Sequence, residues 1–147
     1  MDSTQAPAAV ALRPLPLADE VSAPFWAAAR QGRLDIQRCT ACRHWIHAPA
    51  LACPACGSEE LAFEPVSGRG TLYSWTVLHH SPGPGFADML PLIVGIVELA
   101  EQPHLLLCAN LLQVDASALR LGMPVRVCFE WLDSEHAVPQ FVPAGDA

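Results

Sequence analysis

The sequence predicts a mainly β protein with one short helix, and three observations carry that expectation. Four cysteines fall in two close pairs, Cys39-Thr-Ala-Cys42 and Cys53-Pro-Ala-Cys56, with ten residues between the pairs. From Gly68 onward the chain is rich in Leu, Val, Trp, Tyr and Thr between turn residues, the types that suit a pleated surface. The 14 prolines and 9 glycines among 147 residues argue for many turns and few long helices.

The cysteine pairs define the first part. Each CxxC turn can aim two sulfurs at one point while backbone N–H groups support the thiolates. Two such turns facing each other make a tetrahedral four-sulfur cage suited to zinc. The second turn runs into Gly57, the residue type that most easily takes the positive φ that closes a knuckle. The expected ligands are Cys39, Cys42, Cys53 and Cys56, and the ribbon they staple centres on residues 38–57. His44 and His47 lie close by, but a closed structural site takes only four donors and the cysteines supply them. Four thiolates can also hold iron, so a rubredoxin-like electron carrier is an alternative that the appended β region does not favour.

The order of elements follows. Residues 1–18 are rich in Ala and Pro and read as a flexible arm. Residues 19–33 predict a short helix: Ser22 as its cap, Pro24 in the first turn, Ala27–Ala29 for propagation and Gly32 as the left-handed stop. It carries Phe25 and Trp26, large rings that either cover the ribbon or barrel or anchor a partner protein. Residues 34–63 form the ribbon, with Leu34–Arg38 leading into the first knuckle as a strand and Arg43–Ala50 supplying a second strand and loop. In residues 64–147, strands are expected at Thr71–Leu78, Leu92–Leu99, Leu105–Leu111, Val125–Trp131 and Gln140–Val142. A helical turn capped by Asp115 precedes the fourth, with Gly122 as its exit. Five short strands with a small helix before the fourth fit a closed Greek-key barrel of the OB type, and closure removes the open edge a small β domain would otherwise present.

Charge and hydropathy exclude several classes. The chain has 15 acidic residues against 8 basic ones, all arginine, for a net charge of −7, which repels nucleic acid and anionic membrane surfaces alike. A single-stranded nucleic-acid binder is the competing reading of an OB barrel, and the lack of a basic track argues against it. Residues 1–18 lack a basic start followed by an apolar core, and no apolar stretch reaches the roughly 18–20 residues of a membrane span. With no export signal, a disulfide framework is disfavoured and a cytoplasmic location is expected.

No catalytic constellation emerges. Cys108 and Cys128 lie within expected strands, where a cysteine behaves as a small buried hydrophobe. Ser74 and Ser81 lack a GxSxG elbow, and the chain contains no GxGxxG, P-loop or HExxH. His79-His80 opens a long Gly/Pro-rich loop, Ser81–Pro91; such loops shape a rim or touch a partner or a pantetheine arm. Arg69, Arg120 and Arg126 are the cations that CoA phosphates would need, and nothing in the sequence places them together.

The order of motifs resembles a known family. After the helix comes a ribbon ending in Cys-Pro-Ala-Cys-Gly-Ser, then Val66-Ser-Gly-Arg-Gly70, Leu72-Tyr-Ser-Trp-Thr-Val77 and Pro91-Leu-Ile-Val-Gly-Ile-Val-Glu-Leu99. Leu121-Gly-Met-Pro-Val125 and Val138-Pro-Gln-Phe-Val-Pro143 follow. Over roughly residues 20–143 the chain is similar to the zinc-ribbon plus OB-fold proteins catalogued as domain of unknown function 35 and linked to acyl-CoA metabolism. The resemblance implies a non-catalytic zinc-binding companion subunit of a thiolase-like enzyme (thiolase or side-chain aldolase), or of a MaoC-like enoyl-CoA hydratase. On the reading of the residues themselves, Phe25 and Trp26 of the helix and His79 and His80 at the loop are the candidates for contact with partner or CoA. Two departures stand out: Arg43 ends the first knuckle where the family commonly has glycine, which predicts a less regular turn, and Leu92 replaces a common aromatic residue.

Overall fold

The structure, a computed structural model, describes residues 13–145. Residues 1–12 of the expected arm lie outside the described residues. Arg13 is buried at 8% exposure, paired with Glu130 at 3.3 Å.

Helix α1 spans Ala23–Ala29 with Pro24 in its first turn, shorter than the 19–33 expected because turns occupy both flanks. The capping differs from the expectation. Ser22 makes no side-chain cap; instead the Ser22 N–H donates to Asp19 Oδ1 at 2.8 Å and the Asp19 N–H to Ser22 Oγ at 3.2 Å. This reciprocal pair moves the start of the turn back to Asp19. The stop is as expected: Gly32 takes φ +74°, and the Gly32 and Arg33 N–H groups donate to Ala29 and Ala28 carbonyls at 3.0 Å each, a Schellman ending.

The ribbon is a three-stranded antiparallel sheet in the order β2-β1-β3, with β1 Asp35–Cys39, β2 Trp45–Ile46 and β3 Leu61–Pro65. The barrel sheet contains β4 Arg69–Leu78, β5 Leu92–Leu99, β6 Leu106–Asn110, β7 Pro124–Trp131 and β8 Ala137–Pro143, in the order β6-β5-β4-β7-β8. A parallel bridge between Leu111 and Phe141, with the Leu112 N–H donating to the Phe141 carbonyl at 2.8 Å, brings the two outer strands together and nearly closes the barrel. This is the five-stranded OB arrangement. The turn before β7 is 3-10 rather than α, Ala116–Ala118, and Asp115 makes no side-chain cap bond.

One core serves all three parts. Phe25 of α1, Leu34, Ile36 and Trp45 of the ribbon pack in the same buried cluster as Leu72, Val97, Leu99, Val125 and Phe141 of the barrel. A second small cluster, Cys39, Ile46 and Cys53, surrounds the knuckles. Strand β1 is buried along both faces, so its polar side chains need partners. The Gln37 amide supplies its own by exchanging two hydrogen bonds with the Ala50 backbone, 2.7 and 2.9 Å. From the barrel, Gln102 does the same to Trp45, accepting from its N–H at 2.9 Å and donating to its carbonyl at 3.0 Å. The amide thereby takes the place of a strand on the open edge of β2, tying ribbon to barrel.

Candidate metal centre and the groove beside it

The two knuckles are built alike. Cys39 and Cys53 are buried while Cys42 and Cys56 reach the surface, and the four Sγ atoms lie within 4.8 Å of one another. The closest approaches are 3.6 Å, for Cys39–Cys56 and for Cys42–Cys53. A tetrahedron of sulfurs about 2.3 Å from a central zinc has edges of about 3.8 Å, so the four donors fit such an ion. The Cys42 N–H points at Cys39 Sγ, 3.4 Å, and the Ala55 N–H at Cys53 Sγ, 3.3 Å. Each knuckle closes on two backbone bonds: Arg43 N–H to the Cys39 carbonyl and Cys39 N–H to the His44 carbonyl, 2.9 Å each, and Gly57 N–H to the Cys53 carbonyl and Cys53 N–H to the Ser58 carbonyl, 2.8 Å each.

The first turn is as regular as the second, contrary to the expectation. Arg43 takes φ +71° beside φ +83° for Gly57, a conformation costing roughly 1–2 kcal/mol for a residue with a Cβ. An ion pair and a hydrogen bond hold it there: its guanidinium meets Glu64 at 3.0 Å, and Arg38 Nε donates to its carbonyl at 2.8 Å.

The thiols titrate far apart. The Cys42 N–H, above all, brings Cys39 down to about 6. Cys56 is pushed up to about 12: the Ser58 N–H favours its thiolate, but the crowding sulfurs of Cys42 and Cys39 outweigh that help. Four sulfurs this close cannot all ionise near neutrality without a cation among them.

Beside the centre lies an open apolar groove of about 760 Å³. Phe25 and Trp26 of α1, His47 and Pro49 of the ribbon, and Val94 and Cys108 of the barrel all line it. Its floor is the outer face of β5 and β6, and Phe86 of the β4–β5 loop and Leu132 of the β7–β8 loop form its rims. These are the strands and loops on which OB barrels hold ligands. A polar chain runs along one side. Gln140 Nε2 donates to Glu130 at 2.9 Å and to Asn110 Oδ1 at 3.2 Å, its Oε1 accepts from the Asn110 N–H at 2.7 Å, and Arg13 caps Glu130.

The expected site residues separate. Phe25 is 6% exposed and meets Trp26 edge-on, ring centroids 4.9 Å apart, so its ring belongs to the core and Trp26 is the more accessible of the two. His79 and His80 are both exposed, and neither lines the groove. Cys108 is exposed rather than buried, because its position on β6 points outward; Cys128 is half-buried. Sequence reasoning passed over the groove, whose walls come from residues as far apart as Arg13 and Gln140. In the sequence His47 stands out only for its nearness to the cysteines. It packs under Phe25, centroids 5.4 Å apart, and its buried Nδ1 has no hydrogen-bond partner among the described residues.

Burial lowers the His47 pKa below its usual 6.5. The unfolded chain therefore binds this proton more readily than the folded one. The associated stability is present above pH 6.5 and is lost as pH falls from there toward the lowered folded value. His47→Phe, which keeps the ring stack, is expected to flatten that part of a thermal-midpoint profile. Both proteins retain the cysteines, so their difference isolates the imidazole; parallel profiles would refute the assignment.

A four-cysteine ribbon fused through a shared core to a five-stranded OB-type barrel defines the class, a zinc-ribbon plus OB-fold protein. Comparison with known proteins gives the family. Residues 26–62 match the ChsH2 rubredoxin-like zinc ribbon domain and residues 63–130 the ChsH2 C-terminal OB-fold domain. A solved structure titled Ltp2-ChsH2(DUF35) aldolase is 38% identical with a TM-score of 0.80, covering 88% of this chain and 98% of that one. This chain belongs to the ChsH2 zinc-ribbon plus OB-fold family, DUF35.

Among curated relatives, a probable enoyl-CoA hydratase alpha subunit of Thermomonospora curvata is 40% identical over 91% of this chain. A DUF35 domain-containing scaffold protein of Pyrococcus furiosus is 33% identical over 57% of it. The chain spans 41% and 60% of those two proteins' lengths, respectively. A Sulfolobus solfataricus DUF35 structure, 10% identical with a TM-score of 0.60, shares the fold. No helix among the described residues is long and apolar enough to cross a membrane.

Proposed function

We propose that this chain is a non-catalytic, zinc-binding accessory subunit of a thiolase-like acyl-CoA enzyme, a thiolase or side-chain aldolase, acting in the cytoplasm. The observation that carries the reading is the likeness to the ChsH2(DUF35) part of an aldolase, matched over 98% of that chain. Cys39, Cys42, Cys53 and Cys56 hold the zinc. Four protein donors leave no open coordination position, so the ion's work is to fold the ribbon rather than to activate a substrate. The arm (1–18), helix (19–33), ribbon (34–63) and barrel (64–147) act as its working parts. Phe25 and Trp26, which line the groove, and the exposed His79 and His80 are its candidate partner or CoA contacts. The groove, apolar on the face where OB barrels take ligands, supports contact with the acyl part of a CoA thioester. That same apolar surface, with a net charge of −7, gives the nucleic-acid reading less support.

The second reading is association with a MaoC-like enoyl-CoA hydratase. The Thermomonospora curvata relative, and a 3-oxo-4,17-pregnadiene-20-carboxyl-CoA hydratase alpha subunit of Mycobacterium tuberculosis that is 33% identical, favour it. The likeness accounts for only 41% and 35% of those two proteins, which ranks it second.

The test is in two arms. Purified alone, the chain is expected to show no thiolase, aldolase or hydratase turnover of acyl-CoA thioesters. A pull-down from native lysate, read by mass spectrometry, is expected to recover a thiolase-like enzyme. Robust turnover by the isolated chain rejects the proposal, and recovery of a hydratase without a thiolase-like enzyme selects the second reading.

A further inference from the structure

Arg69 of β4 and Arg126 of β7 stand directly opposite each other in the antiparallel ladder. Opposed residues point to the same face, with Cβ atoms about 4.5–5.5 Å apart. The neighbouring Gly68–Val127 pair carries a ladder bond of 2.8 Å. That puts the two arginines at the non-hydrogen-bonded position, where facing side chains come closest. Both are exposed. Among the described residues neither makes a salt bridge and neither lies over an aromatic ring, whereas Arg13, Arg33, Arg38 and Arg43 all have carboxylate partners.

This arrangement is unfavourable on its own. Like charges facing across a ladder repel, and a chain with 15 acidic residues and only 8 arginines had many ways to avoid it. An open depression of about 440 Å³ borders Arg69, walled by Thr71, Glu98, Gln102 and Pro124. Two acids of β5 and the turn after it have other work: Glu98, which lines the depression, accepts the His104 N–H at 2.8 Å, and Glu101 accepts the Ser67 N–H at 2.8 Å.

We propose that Arg69 and Arg126 form an oxyanion site for a small ligand bearing a phosphoryl group. Two guanidinium forks on one face offer two bidentate donor pairs and two positive charges. A dianionic phosphate satisfies both forks and cancels the repulsion between them; a single carboxylate satisfies one. The site lies on β4 and β7, whereas the groove lies on β5 and β6, and the assignment stands whether or not the accessory-subunit reading does.

The probe is inorganic phosphate, titrated calorimetrically into the full-length protein with chloride holding ionic strength constant, since exposed charge pairs are screened by salt. Saturable binding is expected, and Arg126→Gln and Arg69→Gln should each weaken it by about tenfold or more, the loss of one charge-assisted pair. Arg30→Gln, at the end of α1, should bind as wild type does. In chloride alone, Arg126→Gln should melt no lower than wild type, because it relieves a repulsion. Three results overturn the proposal: no saturable phosphate binding, wild-type affinity in Arg126→Gln, or acetate binding as tightly as phosphate.

Discussion

Replacing Cys39 by Ser is expected to strip the metal and unfold residues 38–57 while the barrel sheet persists. Apart from Trp45, which sits in the main core and is clipped by Gln102, the knuckles have little to hold them: their own buried cluster contains Cys39, Ile46 and Cys53, with Ala50 and Leu61 packed against it. Metal binding at such sites is worth roughly 10–16 kcal/mol near neutral pH, far more than so few side chains contribute. Metal content by atomic emission should fall from one zinc per chain to none, and amide signals of the ribbon should collapse toward unfolded positions. Because Leu34, Ile36 and Trp45 share the main core, the barrel should remain folded but less stable. Full zinc content with native ribbon signals would refute the four-thiolate assignment.

The second large effect is at Phe141. Its side chain is fully buried, and its backbone carries the bridge to Leu111 that brings β6 and β8 together. Phe141→Ala is expected to cost about 3–5 kcal/mol, the usual range for emptying an aromatic site in a packed core. That is a large share of the 5–15 kcal/mol typical of a folded domain. Urea unfolding should show a midpoint shifted far down, while Leu51→Ala, at a position 80% exposed, should move it by about 0.5 kcal/mol or less. A Phe141→Ala midpoint no lower than that of Leu51→Ala would mean that the strands meet in some other way.

The ribbon and the barrel were legible in the sequence because their signals are local. The cysteine spacing names its own geometry, and β5 was expected at Leu92–Leu99, the bounds it has. Strand β3, Leu61–Pro65, was missed: Ala, Glu and Pro are poor strand formers, and only its pairing along the whole of β1 holds it extended. The helix start went to Ser22 by cap preference, but Asp19 three residues earlier competes for the same backbone and wins. The Cβ of Arg43 by itself predicts an irregular turn. The carboxylate that steadies it, Glu64, lies 21 residues away, beyond any short-range pattern. The groove and the Arg69–Arg126 pair had no sequence signature, since each depends on which strands become neighbours.

The Gln102 amide seated on the Trp45 backbone has a consequence for how any companion is met. A ribbon on a loose tether would have to be searched for and oriented at each encounter, and that loss of freedom would be subtracted from affinity. Fastened by the clip and the common core, ribbon tip and barrel wall arrive as one stiff bracket with their angle already set, so a companion that grips either one receives the other in register.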